Sequence, residues 1–403
     1  MTFDNPSLPA APINRRISLR TVMDALLHQG PISRADIAKV TGLSKQTSSE
    51  VVRMLEEGGW IQSIGNTKGA VGRSAVLYEL RRDRGMVVGV DLGSNKLHAA
   101  LVNLAGDVVA EELAVTDAQG GMQVLQQVAE LVTKLANRSK PADATLLTVA
   151  VGCPGALDPT SGSIRFAPNI PGLDKIDALG TLKKALNCPS LTIENDVNLG
   201  VLGEQWYGAA AGSDDLVYAA LGVGVGLGLL VNGKLARGAH GAAGEIAFLP
   251  IGPDPFSPGS LSTGTLEQEI GSPGILRRHA AAGGEEKSVR DIFDAALQGS
   301  SIAKATIDET GRLLALGLAA VTALLDPAVI VLGGSIGVRP ELLEPVRRYL
   351  AACTPLPPPV EPSRLGTRAT LMGAAASALH RAHNELFGAL DLGVALSLPR
   401  PSL

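Results

Sequence analysis

Between Ile13 and Leu80 the apolar positions change their period several times, and each change marks an element. Ile17, Val22, Leu26 and Leu27 recur at helical spacing until Gly30-Pro31 stops them. Ser33-Arg34-Ala35-Asp36 reads as a capping box, because Ser33 and Asp36 can satisfy the first unbonded amides of a short helix through Val40. After the turn Thr41-Gly42-Leu43, Ser44 caps a third helix with Val51, Val52 and Leu55 inward and Lys45, Gln46, Ser48, Ser49 and Arg53 outward; Gly58-Gly59 ends it. Trp60 to Ser63 and Ala75 to Leu80 alternate as two strands around a tip, Gly65 to Arg73, rich in Gly, Lys and Arg.

Helix, helix, turn, helix and basic hairpin is the plan of a winged helix-turn-helix domain, here over residues 13–80 after a proline-containing tail at 1–12. The short polar side chains from Ser44 through Thr47, Ser48 and Ser49 suit a major groove, with Gln46 among them. Lys45 and Arg53 suit phosphates, and Arg73 at the wing tip suits a minor groove. The competing reading is a protein-interaction winged helix whose polar face only meets water. Charge leans towards DNA: residues 1–81 hold 10 Lys and Arg against 7 Asp and Glu, a net of +3, whereas the remaining 25 against 32 give −7.

The next pattern is strand-like. Val87 to Leu92, Leu97 to Leu104 and a third run ending near Val115 form a meander whose first turn carries Asp91, a residue able to hold a metal-bound phosphate. A helix over about Met122 to Leu135 and a buried strand Leu146 to Val151 follow, leading into Gly152-Cys-Pro-Gly155. Asp215 to Gly238 repeats the cadence of strand, glycine-dense turn and strand, so a duplicated, two-lobed α/β architecture is expected. The glycines at 222, 224, 226 and 228 have two readings, a phosphate loop or a strand face lying against another backbone.

Composition narrows the classes. At 403 residues the chain has room for two to four domains, and 45% hydrophobic with 18% charged residues excludes disorder in bulk. The longest nearly unbroken apolar run, Leu313 to Leu325, is too short to span a bilayer and reads as a buried core helix. The N-terminus has acidic and proline residues where a signal peptide needs a basic start, so a cytoplasmic location is expected. Cys153, Cys188 and Cys353 are too scattered for a disulfide framework or a metal knuckle.

Five stretches taken together resemble the ROK family, named for repressors, open reading frames and kinases: Gly42-Leu-Ser-Lys-Gln-Thr47, Asp91-Leu-Gly93, Ile193-Glu-Asn-Asp-Val-Asn198, Gly238-Ala-His-Gly-Ala-Ala-Gly-Glu245 and Val329-Ile-Val-Leu-Gly-Gly334. The similarity is to members with an N-terminal winged helix and runs from about Ile13 to Phe387. It implies an actin-like ATPase fold over residues 85–387, a sugar pocket, and a homodimer or higher homo-oligomer, with 388–403 as a C-terminal tail. The family's pocket residues match Asn195, Asp196, Glu245 and Glu267, with Gly155 and Asn169 in the same site; in kinase members the position of Asp196 is the general base. For Asn195 and Asp196 a turn or helix cap is the competing reading.

The departures redirect the expectation. The family's zinc ligands, one His and three Cys, are replaced by Phe248, Pro258, Ser260 and Thr265, so no metal or other cofactor is expected. Asn95 and Val223 stand where kinase members carry phosphate-binding hydroxyls. The expected function is therefore a sugar-responsive transcriptional regulator, with operator DNA and a sugar or sugar derivative as partners and no membrane; the alternatives are a sugar kinase with an appended DNA-binding domain and a ligand-free regulator that needs a protein partner.

Overall fold

The computed structural model describes residues 13–66, 75–139, 141, 143–158, 160–165, 167, 170–387 and 398–399. The chain forms two units, one running to Glu194 and resuming at Ala374, the other spanning Asn195–Gly373.

The first unit opens with helix α1 (Ile13–Gln29), strand β1 (Ile32–Ser33), helices α2 (Arg34–Thr41) and α3 (Lys45–Glu57), and strands β2 (Ile61–Asn66) and β3 (Val76–Leu80). The capping box forms as its residues dictate: the Ser33 hydroxyl accepts the Asp36 amide proton at 3.2 Å. Gly42 takes φ 71°, the left-handed conformation that ends α2 and turns the chain into α3. Val22, Met23, Ile37, Val52 and Leu55 are completely buried and make the core between the three helices. The two-residue β1 was not foreseen from sequence; it pairs antiparallel with β3, giving the order β1-β3-β2.

The same unit continues with strands β4 (Gly85–Leu92), β5 (Lys96–Asn103) and β6 (Val108–Val115), helix α4 (Gly121–Ser139), strand β7 (Thr145–Cys153), the small hairpin β8 (Ala156–Leu157) and β9 (Ile164–Arg165), helix α5 (Ala178–Leu186) and strand β10 (Leu191–Asn195). Five of them make a sheet in the order β10-β7-β4-β5-β6. Met86, Val88 and Val90 pack with Val124, Val128 and Val132 of α4 and Leu182 of α5.

The second unit comprises helix α6 (Asp196–Tyr207), strands β11 (Leu216–Leu221), β12 (Val225–Val231) and β13 (Lys234–Leu235), helices α7 (Pro258–Thr263), α8 (Thr265–Ile270), α9 (Ser272–Ala281), α10 (Val289–Leu297) and α11 (Ser301–Leu325), strand β14 (Val329–Gly333), helices α12 (Gly334–Gly337) and α13 (Pro340–Cys353), and strand β15 (Val360–Pro362). Helix α14 (Ala369–Phe387) then carries the chain back into the first unit. The second sheet has the order β13-β12-β11-β14-β15. In both five-stranded sheets the first strand along the chain is flanked by its antiparallel hairpin partner and by a parallel strand, β4 with β5 and β7, β11 with β12 and β14. That shared plan is the duplication expected from the repeated cadence. The fold is thus a winged helix followed by a duplicated α/β, actin-like domain. The run Leu313 to Leu325 is helical, but one side is uncovered, with Leu316 and Leu324 exposed, because a helix on a sheet buries only the stripe that faces it.

No helix among the described residues is long and apolar enough to cross a membrane. Some buried polar groups are held by partners far away in sequence. Glu204 is fully buried, yet its carboxylate accepts the amide protons of Ala209 at 2.6 Å and Leu365 at 3.3 Å and binds the Ser363 hydroxyl, tying α6 to the loop after β15.

In the first unit His383 of α14 is also fully buried; its Nε2 donates to the Leu104 carbonyl at 2.9 Å, and burial pushes its pKa down to about 4. The unfolded chain, with an ordinary histidine near 6.5, binds a proton that the folded chain refuses. Stability should therefore be complete above about pH 6.5 and fall as the pH drops towards 4, by about 3 kcal/mol in all. His383→Gln should flatten that acid limb in thermal melts recorded from pH 7.5 to 4.5.

Candidate functional site

Helix α3 starts where Ser44, in an extended conformation, accepts the Thr47 amide proton at 3.0 Å; the two hydroxyls lie 2.8 Å apart. Lys45 and Gln46 are exposed on the first turn, and the Gln46 amide donates to Glu50 at 3.2 Å. Thr47 and Ser49 are half-buried. Arg53 is exposed and only loosely paired with Glu57, at 3.8 Å, which leaves it available to a phosphate. Lys39, exposed near the end of α2, was passed over in the sequence reading and adds a cation just before the turn.

Ser48 requires a correction. Expected on the outward face, it is fully buried, and its hydroxyl has no hydrogen-bond partner among the described residues. Positions 48, 51, 52 and 55 share one helical stripe, so Ser48 sits inward with Val51, Val52 and Leu55 and cannot read a base. Arg73 lies outside the described residues.

The second cluster is assembled around β12. Here the glycine alternation takes its structural reading. A β-carbon at Gly228 would lie 2.1 Å from the Val197 carbonyl oxygen, so only glycine lets the start of α6 press against the strand. Gly226 faces the Val197 side chain, and a β-carbon at Gly224 would meet Glu267 at 2.3 Å. Glu267, in α8, accepts the Val225 amide proton at 2.9 Å, which pins its carboxylate to the head of the strand. Gly244, at φ 95°, presses on the Leu227 carbonyl and delivers Glu245 beside the same strand.

At the head of α6 the Asn195 side-chain oxygen accepts the amide protons of Val197 at 3.0 Å and Asn198 at 3.2 Å. Asp196 accepts the Val197 amide proton at 2.9 Å. Asn195 is thus a helix cap, which was the competing reading of this pair. Thr370, 174 residues away, donates its hydroxyl to the Asp196 carbonyl at 3.1 Å; no local sequence signal marks it.

Glu245 and Glu267 are half-buried, and both carboxyls are held above the usual carboxylate range. Burial is the main cause for each; the charge of Glu267 pushes Glu245 further, while the Val225 amide pulls Glu267 back. Two neighbouring acids of this kind favour a ligand rich in hydroxyl donors. Asn195, Asp196, Glu245 and Glu267 all belong to the second unit. Gly155 belongs to the first, just after β7 at φ 93°, and Asn169 lies outside the described residues.

Asp91 closes β4 almost completely buried, its pKa raised to about 6 by desolvation against the pull of Lys96, whose ammonium is 3.7 Å away. Asn95 and Val223 are both exposed at their turns.

The side chains at the four positions of the family's zinc site do not fit a metal. Phe248 is half exposed, Pro258 begins α7, and Thr265 begins α8. The buried Ser260 hydroxyl donates to the Asp254 carbonyl at 2.7 Å and lies 2.9 Å from that of Ser257. Among the described residues no group of three His, Cys, Asp or Glu side chains is placed to hold a metal ion.

Residues 87–381 match the ROK family, and residues 15–62 match a winged helix-turn-helix DNA-binding family. The xylose repressor of Caldicellulosiruptor bescii is 28% identical over 387 residues, covering 90% of this chain and 94% of its own. Among solved structures, a ROK family transcriptional regulator described as a homologue of the E. coli Mlc protein shares the fold at TM-score 0.76 with 24% identity, covering 93% of this chain and 98% of that one. The ROK hexokinase of Thermus thermophilus is 31% identical at TM-score 0.63, covering 73% of this chain and 97% of its own.

Metal analysis of the purified protein should find no stoichiometric zinc, and chelator should leave the melting temperature unchanged. One zinc per chain would show that other ligands take over the site.

Proposed function

The chain belongs to the ROK family, and on that premise we propose that it is a sugar-responsive transcriptional regulator, most simply a repressor. Its winged helix binds operator DNA and its second unit binds a sugar or sugar derivative. The observation that carries this reading is the joint presence of two clusters on one chain: a capped helix α3 with Lys45, Gln46 and Arg53 exposed, and Asn195, Asp196, Glu245 and Glu267 gathered around β12. The extent of similarity supports it, since the xylose repressor aligns over 90% of this chain and the hexokinase over 73%.

In this reading the carboxylates of Asp196, Glu245 and Glu267 accept protons from adjacent sugar hydroxyls while the Asn195 amide donates to a ring or hydroxyl oxygen. Paired recognition helices then require two copies of the chain, because half-sites of a palindromic operator lie about one helical turn or a multiple apart.

A second reading, a sugar kinase with an appended DNA-binding domain, is favoured by the retention of Asp91. In it Asp196 abstracts the proton of the attacked hydroxyl. Against it stand Asn95 and Val223, which offer no hydroxyl to a phosphate.

Lys45→Ala should weaken binding to specific and nonspecific DNA alike and flatten the salt dependence, whereas Gln46→Ala should weaken specific binding more. Filter binding or anisotropy across a salt series checks both, and operator binding retained without residues 1–80 would sink the assignment.

A thermal-shift screen over monosaccharides and sugar phosphates should reveal the effector as a rise in melting temperature. Asp196→Asn should then lower its affinity about tenfold or more, through loss of a charge-assisted hydrogen bond. Sugar phosphate made from ATP at about one per second or faster would overturn the regulator-only reading.

A further inference from the structure

Two exposed apolar side chains accompany the half-buried acids of the second unit. Glu245 opens a single 3-10 turn, Ile246–Phe248, and the Phe248 amide donates to the Glu245 carbonyl at 3.3 Å. Because such a turn repeats every three residues, positions 245 and 248 line up on one face. Ile246 and Ala247 are buried between them, so the Glu245 carboxyl and the Phe248 ring share the less buried side of the turn, and Phe248 is 48% exposed.

Val223 stands beside Glu267, in the tip of the β11–β12 hairpin. Its neighbour Gly224 lies against the Glu267 carboxylate, which also accepts the Val225 amide proton at 2.9 Å. The backbone of the tip is fastened: the Gly222 amide donates to the Gly224 carbonyl at 2.9 Å, the Ser272 amide to the Val223 carbonyl at 3.2 Å, and the Ser272 hydroxyl to the Gly222 carbonyl at 2.8 Å. The Val223 side chain stays outside this fastening, 61% exposed. The start of α8 joins the two flanks, because a β-carbon at Gly264 would lie 2.3 Å from the Ala247 carbonyl oxygen; the helix that carries Glu267 is seated on the turn that carries Glu245 and Phe248. All these residues belong to the second unit.

We infer that the ligand of this site is a glycoside bearing an aromatic or alkyl group, with Phe248 and Val223 as the apolar wall that selects it. The inference rests on the sugar-site reading and adds the class of the ligand. Carboxylates select hydroxyls and are indifferent to what else the sugar carries. Apolar side chains standing in water gain little from a free monosaccharide's hydroxyls, whereas an apolar group laid over them removes surface from water on both partners. Substitution at the anomeric oxygen suits this division, since it leaves the remaining hydroxyls to Asp196, Glu245 and Glu267. The Phe248 ring also offers an aryl group a stacked or edge-on contact.

The experiment is calorimetric titration of the full chain with D-xylose, D-glucose, and the methyl and phenyl glycosides of each in both anomers. In wild type at least one phenyl glycoside is expected to bind about tenfold or more tighter than its parent sugar, with the methyl glycoside between them. Its heat capacity change of binding should be the more negative, the mark of apolar burial. Phe248→Ala should bring the ratio of the two affinities to within about twofold, Val223→Thr should lower it about threefold, and Phe248→Leu should keep most of it. Leu324→Ala, which removes an exposed leucine of α11 in the same unit, should leave the ratio unchanged.

A parent sugar that binds as tightly as its phenyl glycosides overturns the inference and leaves the sugar reading standing. So does a phenyl preference that survives Phe248→Ala, or one that Leu324→Ala reduces as much. Should Phe248→Ala fail to fold, as its melting curve would show, the Phe248→Leu and Val223→Thr ratios decide in its place. If none of the sugars or glycosides binds wild type, the sugar reading and the inference fall together.

Discussion

The carbonyl oxygen of Leu199 occupies the space where a side chain at position 373 would begin, and the carbonyl of Ala369 does the same to position 203, where a β-carbon would lie 2.3 Å away. Helices α6 and α14 cross backbone against backbone, and only glycine at both points permits it. A glycine inside a helix costs about 1 kcal/mol relative to alanine, so the crossing must return more than that through contact. It does so by fixing what lies on either side. Asn195 and Asp196 sit at the head of one crossing helix, Thr370 in the first turn of the other, and the Tyr218 ring packs where Gly200 leaves room for it. The chain also passes between its two units at these helices, after Glu194 and after Gly373.

In the loop from Phe248 to Thr265 hydrogen bonds and burial do the local fastening. A zinc ion would fix such a loop through four donors. Here Ser257 caps α7, Ser260 bonds back to the Asp254 carbonyl, and Asp254 accepts the Phe256 amide proton at 3.0 Å. Hydroxyls of this kind contribute about 1 kcal/mol each, against the 10 or more that a structural zinc can supply. The loop's remaining order comes from burial: Thr265 and Leu266 lie in the core, and a β-carbon at Gly264 would lie 2.3 Å from the Ala247 carbonyl oxygen. Phe248 and Phe256 are left facing solvent, the latter almost completely.

Much of the fold was legible because it is written locally. Ser33 with Asp36, Gly42, Ser44 and Gly58 punctuate the winged helix, and each acts where its chemistry says it should. The strand duplication was legible from its repeated cadence. Ser48 was misread because polarity was weighed above phase: its spacing from Val51, Val52 and Leu55 placed it inward, and that spacing was available in the sequence. The glycines of β12 were open to two readings until the backbone of Val197 was seen against Gly228. Thr370, Glu204 and the Phe387–Trp60 contact were invisible, since each joins residues more than a hundred positions apart and no local pattern encodes a distant partner.

A regulator needs less of its ligand site than an enzyme does. Catalysis requires an interaction that strengthens in the transition state, with the reacting atoms held in line. A switch requires only that the ligand bind two arrangements of the chain unequally, and it can shift their balance by no more than that difference. Glu245 and Glu267, half-buried and both held above the usual carboxylate range chiefly by burial, are suited to the lesser task, because hydroxyl donors that satisfy them in one arrangement and not in the other supply the required difference. A site of that kind can dispense with the phosphate-binding hydroxyls at positions 95 and 223 and with the metal at 248–265.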